Sequence, residues 1–365
     1  MNEFDFIRQL REQTSARKTS TRIVCGIGDD AAVFRQSPDR DLLISSDLLV
    51  ESVDFHGEAT PPRLLGHKAL AVSLSDIAAM GGRPLWSMVS IGLPQSAWAS
   101  GFKEEFFAGY LALADRFGVS LTGGDLSQSQ HVVIDSIVIG EVDKGRAVLR
   151  STAQSGDQIF VTGSLGGAAA GLKLIELGAR VRSPTVREGD DSQQAADGRP
   201  QEPARDASQA SEPNDTADDE AIQQLLLRQL SPQPRVGWGI VLGEEQLATS
   251  MIDISDGLSS DLHHLCDESG VGAVIEAASL PLDENVVHLC GRRALDPLAL
   301  ALHGGEDFEL LFTVSPKNLS RLPKRVDGVS ISHIGEITEP SRGVRVREKS
   351  HEWDLPARGF EHFSG

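Results

Sequence analysis

Residues 250–270 read SMIDISDGLSSDLHHLCDESG: a short apolar run meets Ser and Asp and then gives way to a helical pattern. SMIDIS predicts a strand and DGLSSDLHHLCDESG a helix, because the apolar residues first crowd together and then recur at intervals of three and four. The same succession stands at 158–178, QIFVTGSLGGAAAGLKLIELG: strand, Gly-rich turn, then a helix whose small residues allow close packing. Its glycines do not fall as GxGxxG, so a tight strand-to-helix turn is expected rather than a dinucleotide loop. Working outward, LLISSDLLV (42–50), HVVIDSIVIGEV (131–142), VGAVIEAASL (271–280) and FELLFTVS (308–315) predict further strands. Helices are expected at 96–118 (SAWASGFKEEFFAGYLALADRFG) and over RVGWGIVLGEEQLA (235–248). Strands alternating with helices indicate an α/β (α+β) architecture of two domains, divided near Gly145 to Gly156.

A length of 365 residues suits two domains, and 40% hydrophobic with 24% charged residues is ordinary for a globular protein. No apolar run reaches the ~20 residues of a membrane helix, and MNEFDFIRQLREQ has neither the basic nor the apolar region of a secretory signal. A cytoplasmic location and no membrane partner are expected. The net charge of −19 argues against a nucleic-acid partner, which demands clustered Lys and Arg, and suits a collector of cations. Cys25, Cys266 and Cys290 share no CxxC spacing and are expected to be free, buried thiols. From about 182 to 220 the chain has eleven acids, four Arg and one large apolar residue, Val186, which predicts a disordered acidic insertion carrying about seven of the nineteen net negative charges.

The chemistry is expected in a recurring strand-end motif, in which apolar residues run into carboxylates or Ser-Asp pairs: GIGDD (26–30), ISSD (44–47), LSD (74–76), GGD (123–125) and DISDG (253–257). One Ser-Asp is a common helix cap or turn; five such ends point to hard-cation binding, since Mg²⁺ takes oxygen ligands from a few Asp plus substrate phosphates. His and Cys are absent from these motifs, which counts against zinc. Gly26, Gly28, Gly123, Gly124 and Gly257 let the backbone approach phosphate oxygens, and if Asp256 opens the following helix its amides could receive phosphate too. There is no GxxxxGK[ST] and no protein-kinase motif set. In an extended segment Asp29 and Asp30 point to opposite faces, so one of the two is expected to face the metal.

GIGDDAAV, SSDLLVESVDF, KALAVSLSDIAAMGGRP, GGD, DISDGLSSDL and GGEDFELLFT stand in the order and approximate spacing of thiamine-monophosphate kinase motifs, and GFEHF (359–363) resembles that family's C-terminal substrate motif. The resemblance implies the two-domain aminoimidazole-ribonucleotide-synthetase-like fold: residues 1–148 as an ATP- and Mg²⁺-binding domain that forms a dimeric β-barrel, and 149–365 as an α/β domain. It implies a homodimer that uses ATP and Mg²⁺ to convert thiamine monophosphate to thiamine diphosphate. By motif position Asp30, Ser45, Ser46, Asp47, Asp76, Asp125, Asp253 and Asp256 hold Mg²⁺. Gly124, Asp125, Arg150 and Ser255 contact ATP, and Asp54, Glu306 and Phe360 contact the acceptor; Asp30 is taken over Asp29 on the same analogy.

Several positions depart from the family pattern: Ser46 stands for Thr, Ser73 for Asn, Phe308 for Tyr, Leu126-Ser127 for two Thr, and Asp54 for His. An acid at 54 opposes the acceptor phosphate or pairs with the thiazolium, and His56, on the same face if this is a strand, could serve in its place. Rival readings are a selenophosphate-synthetase-like or hydrogenase-maturation-like enzyme of the same superfamily, and a non-catalytic ATP sensor. The first two usually carry a reactive or C-terminal Cys, whereas this chain reads HFSG at 362–365.

Overall fold

The computed structural model describes residues 23–25, 29–182, 213–293 and 295–360. β1 (Ile23–Cys25), β2 (Ala32–Arg35) and β3 (Arg40–Val50) begin a six-stranded sheet; α1 (Pro62–Ala79), β4 (Arg83–Leu93), α2 (Gln95–Ala99), α3 (Phe102–Phe117), β5 (Ser120–Gln128) and β6 (Val133–Asp143) follow. The sheet is open, in the order β1-β2-β3-β6-β4-β5, with β4 and β5 parallel and the other neighbours antiparallel.

Strand alternation decides which face is covered. On β3, Asp41, Leu43, Ser45 and Leu49 are buried while Ser46 and Leu48 are exposed; on β6, Ile134, Ser136 and Val138 are buried between half-exposed neighbours. α1 packs on the inner face and is buried almost all round, because α3 crosses it closely. A Cβ on Gly66 would lie 1.9 Å from the Phe106 carbonyl oxygen, and one on Gly109 1.8 Å from that of Arg63, so side chains there would push the helices apart. The single helix expected at 96–118 is two helices. Ser100 is extended (φ −90, ψ −178) and its hydroxyl accepts the Phe102 N–H at 3.2 Å, ending α2 and starting α3.

The chain continues with β7 (Gln158–Thr162), α4 (Gly167–Glu176), α5 (Pro213–Leu230), α6 (Val236–Glu244), β8 (Ala248–Asp253), α7 (Leu258–Ser269), β9 (Gly272–Glu276), α8 (Glu284–Arg293), α9 (Pro297–His303), β10 (Leu310–Val314), β11 (Arg325–Val326), β12 (Val329–Thr338), β13 (Val344–Glu348) and β14 (His351–Asp354), whose strands form a second sheet. Its order is β14-β13-β9-β12-β7-β10-β8, with β11 on β12. The Gly-rich turn is the expected strand-to-helix connection: Gly163 and Gly166 take φ of 59° and 85°, and the Asp307 carboxylate accepts the Gly166 and Ala168 N–H groups at 2.6 and 3.1 Å at the start of α4.

The acidic insertion is shorter than its composition suggests. Residues 213–220 form the start of α5, where acids favour the helix dipole, and Asp218 bonds Arg292 and His288 at 2.6 and 2.8 Å while Asp219 pairs with Arg182. The rest of that expectation, 183–212, lies outside the described residues. Among the described residues no disulfide joins the three cysteines; Cys266 is buried, which pushes its thiol up to about 12, but Cys25 and Cys290 are half-buried rather than buried. Among the described residues no helix is long and apolar enough to cross a membrane. The two halves share a core: Leu43, Leu74 and Ile77 belong to the same cluster as Trp238, Met251 and Phe312. α1 is the seam, and the candidate site lies along it.

Candidate active site

Four separate segments end at one place. Asp30 comes from the β1–β2 connection, Asp76 from the last turn of α1, Asp253 from the end of β8, and Arg150 from the turn before β7. Carboxylate oxygens of Asp30, Asp76 and Asp253 all lie within 4.8 Å of one another. The hydroxyl of Ser45 donates to Asp76 and lies 3.5 Å from Asp47 Oδ2, and Ser75 Oγ donates to Asp253 Oδ2 at 2.6 Å. Arg150 holds Asp30 with two parallel bonds, Nε to Oδ2 at 2.9 Å and Nη2 to Oδ1 at 2.7 Å, and its backbone N–H reaches Asp29 Oδ2 at 3.2 Å. The Arg150 carbonyl accepts from Ser250 Oγ and Ser269 Oγ at 2.8 and 2.6 Å, which fixes the backbone from which the guanidinium projects.

Such a group is over-supplied with negative charge. Burial, then Asp47, Asp253 and Asp30, hold the Asp76 carboxyl well above the usual range. Burial and Asp30 raise Asp253 likewise, against the Ser75 bond and Arg150. Asp47 is raised by burial although Ser73, Asp76 and Ser45 bond it, and Asp29 is pushed up to about 7 by burial and Asp30. Burial opposes the Arg150 cation, yet Asp30 and Asp29 outweigh it and hold its proton more tightly than usual. One guanidinium facing several buried carboxylates leaves negative charge to be balanced, and the donors are all oxygens; the set fits a hard divalent cation.

Not every expected residue joins this group. Ser46 lies on the opposite face of β3 from Ser45 and Asp47, and its hydroxyl donates to Asp135 Oδ1 at 2.8 Å, so its side chain does not point at the cluster. Asp125 is exposed on edge strand β5; the register sets it beside Ser90, which is itself beside Asp135, on the face away from α1. Neighbouring Gly124 has φ 150°, and a Cβ there would meet the Val89 carbonyl oxygen at 1.8 Å. Asp256 does not cap α7: Gly257 at φ 123° holds that position, and its N–H goes to the buried Asp261 carboxylate at 3.0 Å. Asp29 is a bridge residue and the chain bends at Asp30, so the two do not form an extended run, and Asp30 is the one in the cluster.

Three of the remaining expected positions converge beside Asp253. The Glu306 N–H donates to the Ser255 carbonyl at 2.7 Å and the Phe360 N–H to the Asp256 carbonyl at 3.2 Å, so Ser255, Asp256, Glu306 and Phe360 share one loop cluster. Asp54 is in a turn and not in a strand; its Oδ2 accepts the Val50 N–H at 2.7 Å, and the shared-face relation expected with His56 does not hold. Sequence reasoning missed Ser75, Asp261 and a buried ion-pair group in which Glu309 bonds Arg228 and Arg235, and it missed Lys68, whose Nζ is 2.6 Å from Glu306 Oε1. The signal for Lys68 was a cation set directly before the small apolar run 69–72 of α1.

The chain matches two family models, AIR synthase related protein, N-terminal domain, over residues 28–142, and AIR synthase related protein, C-terminal domain, over 204–347. It is 32% identical to the thiamine-monophosphate kinase of Buchnera aphidicola, over 99% of this chain and 98% of that protein. Among solved structures it resembles AaThiL complexed with AMPPCP and TMP (TM-score 0.76, 27% identity, 99% and 97% of the two chains covered). It also resembles the thiamine-monophosphate kinase of Stenotrophomonas maltophilia K279a (TM-score 0.70, 33% identity, 96% and 98% covered). With relatives matched end to end at this identity and both family models satisfied, the chain belongs to the thiamine-monophosphate kinase family and has its two-domain AIR-synthase-related α/β fold.

Proposed function

We propose that this chain transfers the γ-phosphoryl group of ATP to the phosphate of thiamine monophosphate, giving ADP and thiamine diphosphate. The observation that carries the reading is the group of Asp30, Asp76 and Asp253 faced by Arg150, in a chain of this family. The AaThiL complex with AMPPCP and TMP supports a nucleotide and an acceptor bound together.

The acceptor is a phosphate oxygen, and a phosphomonoester with a second pKa of about 6 is largely ionised at pH 7. No side chain has to remove a proton, so the aspartates serve as ligands and not as bases. We assign Mg²⁺ to Asp30, Asp47, Asp76 and Asp253 with Ser45; when bound it neutralises phosphate charge. Arg150 neutralises phosphate oxygens once released from Asp30, and the loop carrying Ser255, Asp256, Glu306 and Phe360 orients the acceptor. Gly124 and Asp125 stay assigned to the nucleotide, and Ser46, Asp125 and Asp256 to metal, by family position.

We also assign residues 1–148 and 149–365 as the two domains, a cytoplasmic location, and a homodimer closing a shared barrel. The face of the first sheet away from α1 leaves Leu48, Trp86 and Met88 exposed, which suits a second copy. Coupled detection of ADP release tests the activity. Release that requires thiamine monophosphate supports it; release without acceptor, or none with it, overturns it. Sedimentation velocity reading a monomer at micromolar concentration would remove the dimer.

A further inference from the structure

We infer that Lys68 is a positioning residue for the acceptor site, holding the carboxylate of Glu306 in the orientation that meets the acceptor; this rests on the function proposed above. Lys68 lies on α1 with its side chain 1% exposed, and its Nζ is 2.6 Å from Glu306 Oε1. A lysine is almost never buried to this extent without a partner, and here the partner is in the other half of the chain. Gln229 of α5, itself buried, donates from Nε2 to the second oxygen, Glu306 Oε2. The Gln229 Oε1 is left buried without a partner among the described residues, so the amide is held for the sake of its contact with Glu306.

Glu306 is not otherwise at ease. Its backbone is in the left-handed region, φ 65°, where a residue with a Cβ is uncommon. Its N–H is tied to the Ser255 carbonyl, next to Asp256 and Phe360. Its side chain remains 27% exposed. A carboxylate has about four acceptor sites; Lys68 and Gln229 each take one from the protein side. The exposed lone pairs are therefore fixed in direction and turned outward, and Lys68 balances the charge that Glu306 would otherwise add near the acceptor phosphate. A fixed acceptor loses less freedom on binding than a rotating one, so the gain falls on acceptor affinity.

The test is steady-state kinetics of Lys68→Met, Gln229→Met, Glu306→Gln and Lys68→Met/Glu306→Gln with both substrates, with thermal unfolding of each. Glu306→Gln and Lys68→Met should each raise KM for thiamine monophosphate on the order of tenfold, with KM for ATP and kcat little changed. The double variant should be no worse than the worse single, since both act through one contact. Should Lys68→Met fail to fold, Gln229→Met removes the other tether without stranding a charge and should raise the same KM by a smaller factor. A rise with Glu306→Gln but none with Lys68→Met or Gln229→Met overturns the positioning role and leaves the proposed function intact. Equal rises in both KM values with lowered Tm make Lys68 merely structural and overturn it as well. An unchanged KM in Glu306→Gln removes Glu306 from the acceptor site and the inference with it, while thiamine diphosphate production by the wild-type protein still stands as the test of function.

Discussion

The guanidinium of Arg150 occupies both oxygens of the Asp30 carboxylate, at 2.9 and 2.7 Å. A side chain assigned to the nucleotide thus neutralises one assigned to the metal, and on those assignments loading the site would be an exchange, with a cation at Asp30 and phosphate at Arg150. The exchange is possible because the Arg150 carbonyl is pinned by Ser250 and Ser269, so only the side chain has to swing.

Arg150→Gln should therefore act in opposite directions on the two ligands. Without nucleotide, Mn²⁺ affinity should rise several-fold, because a competing cation has left the carboxylates. ATP affinity should fall, by about 1.5–3 kcal/mol if the guanidinium bonds a charged oxygen. Calorimetric titration of Mn²⁺ and then of ATP measures both; weaker Mn²⁺ binding in the variant would refute the exchange.

Removing a charge from the cluster should stabilise the empty protein and disable the enzyme. Asp76 is crowded by Asp47, Asp253 and Asp30. In EDTA, Asp76→Asn should raise the Tm, because the repelled charge is gone, and should lose at least ~100-fold in kcat with Mg²⁺. Asp125→Asn, exposed on edge strand β5, should leave EDTA stability within about 0.5 kcal/mol. Destabilisation of Asp76→Asn in EDTA would show that its neighbours do not repel it.

The same crowding sets a pH dependence. Asp29 rises from 3.8 to about 7 on folding, and Asp76 and Asp253 move in the same direction. The folded state binds these protons more tightly than the unfolded one, so the Asp29 contribution to stability is complete below about 4 and is lost as pH rises through about 7, and those of Asp76 and Asp253 are likewise lost as pH rises. Mg²⁺ competes with those protons. The increase in Tm produced by Mg²⁺ should accordingly be small at pH 5 and larger at pH 7.5, read by thermal unfolding with Mg²⁺ and with EDTA. An increase that is the same at both values, or larger at pH 5, would contradict the assignment.

Asp253 was legible in the sequence because it closes the apolar run of β8, and Asp30 and Asp76 by their place in the motifs, since the buried run of α1 continues past Asp76 through Ile77, Ala78 and Ala79. Ser45 and Ser46 read as a pair in the motif, yet strand alternation sends them to opposite faces. The face taken by Asp125 depends on an irregularity between Ser87 and Met88 that shifts the β4–β5 register, which no local pattern announces. The pairings of Arg150 and Lys68 were out of reach for another reason: their partners are Asp30 and Glu306, far away along the chain, and only packing brings them together. Asp218 and Asp219 looked like part of a solvated run because composition does not show that Arg292 and Arg182 lie opposite.

Asp54 takes the place where the family pattern has His, and the structure separates two roles for it. Its Oδ2 accepts the Val50 N–H at 2.7 Å and closes the turn after β3. Asn keeps an acceptor at that point and Ala does not, so Asp54→Ala should lose about 1 kcal/mol of stability, the worth of one hydrogen bond, while Asp54→Asn should lose little. Binding is a different matter. A carboxylate facing a doubly charged phosphate would be costly, whereas one facing the thiazolium gains a charge pair. If Asp54 serves the acceptor through that pairing, both variants should raise KM for thiamine monophosphate a few-fold and leave KM for ATP alone. A KM that falls in Asp54→Asn would put the carboxylate beside the phosphate instead. Unchanged constants in Asp54→Asn, with the stability loss confined to Asp54→Ala, would leave Asp54 as a turn residue and take it out of the acceptor site.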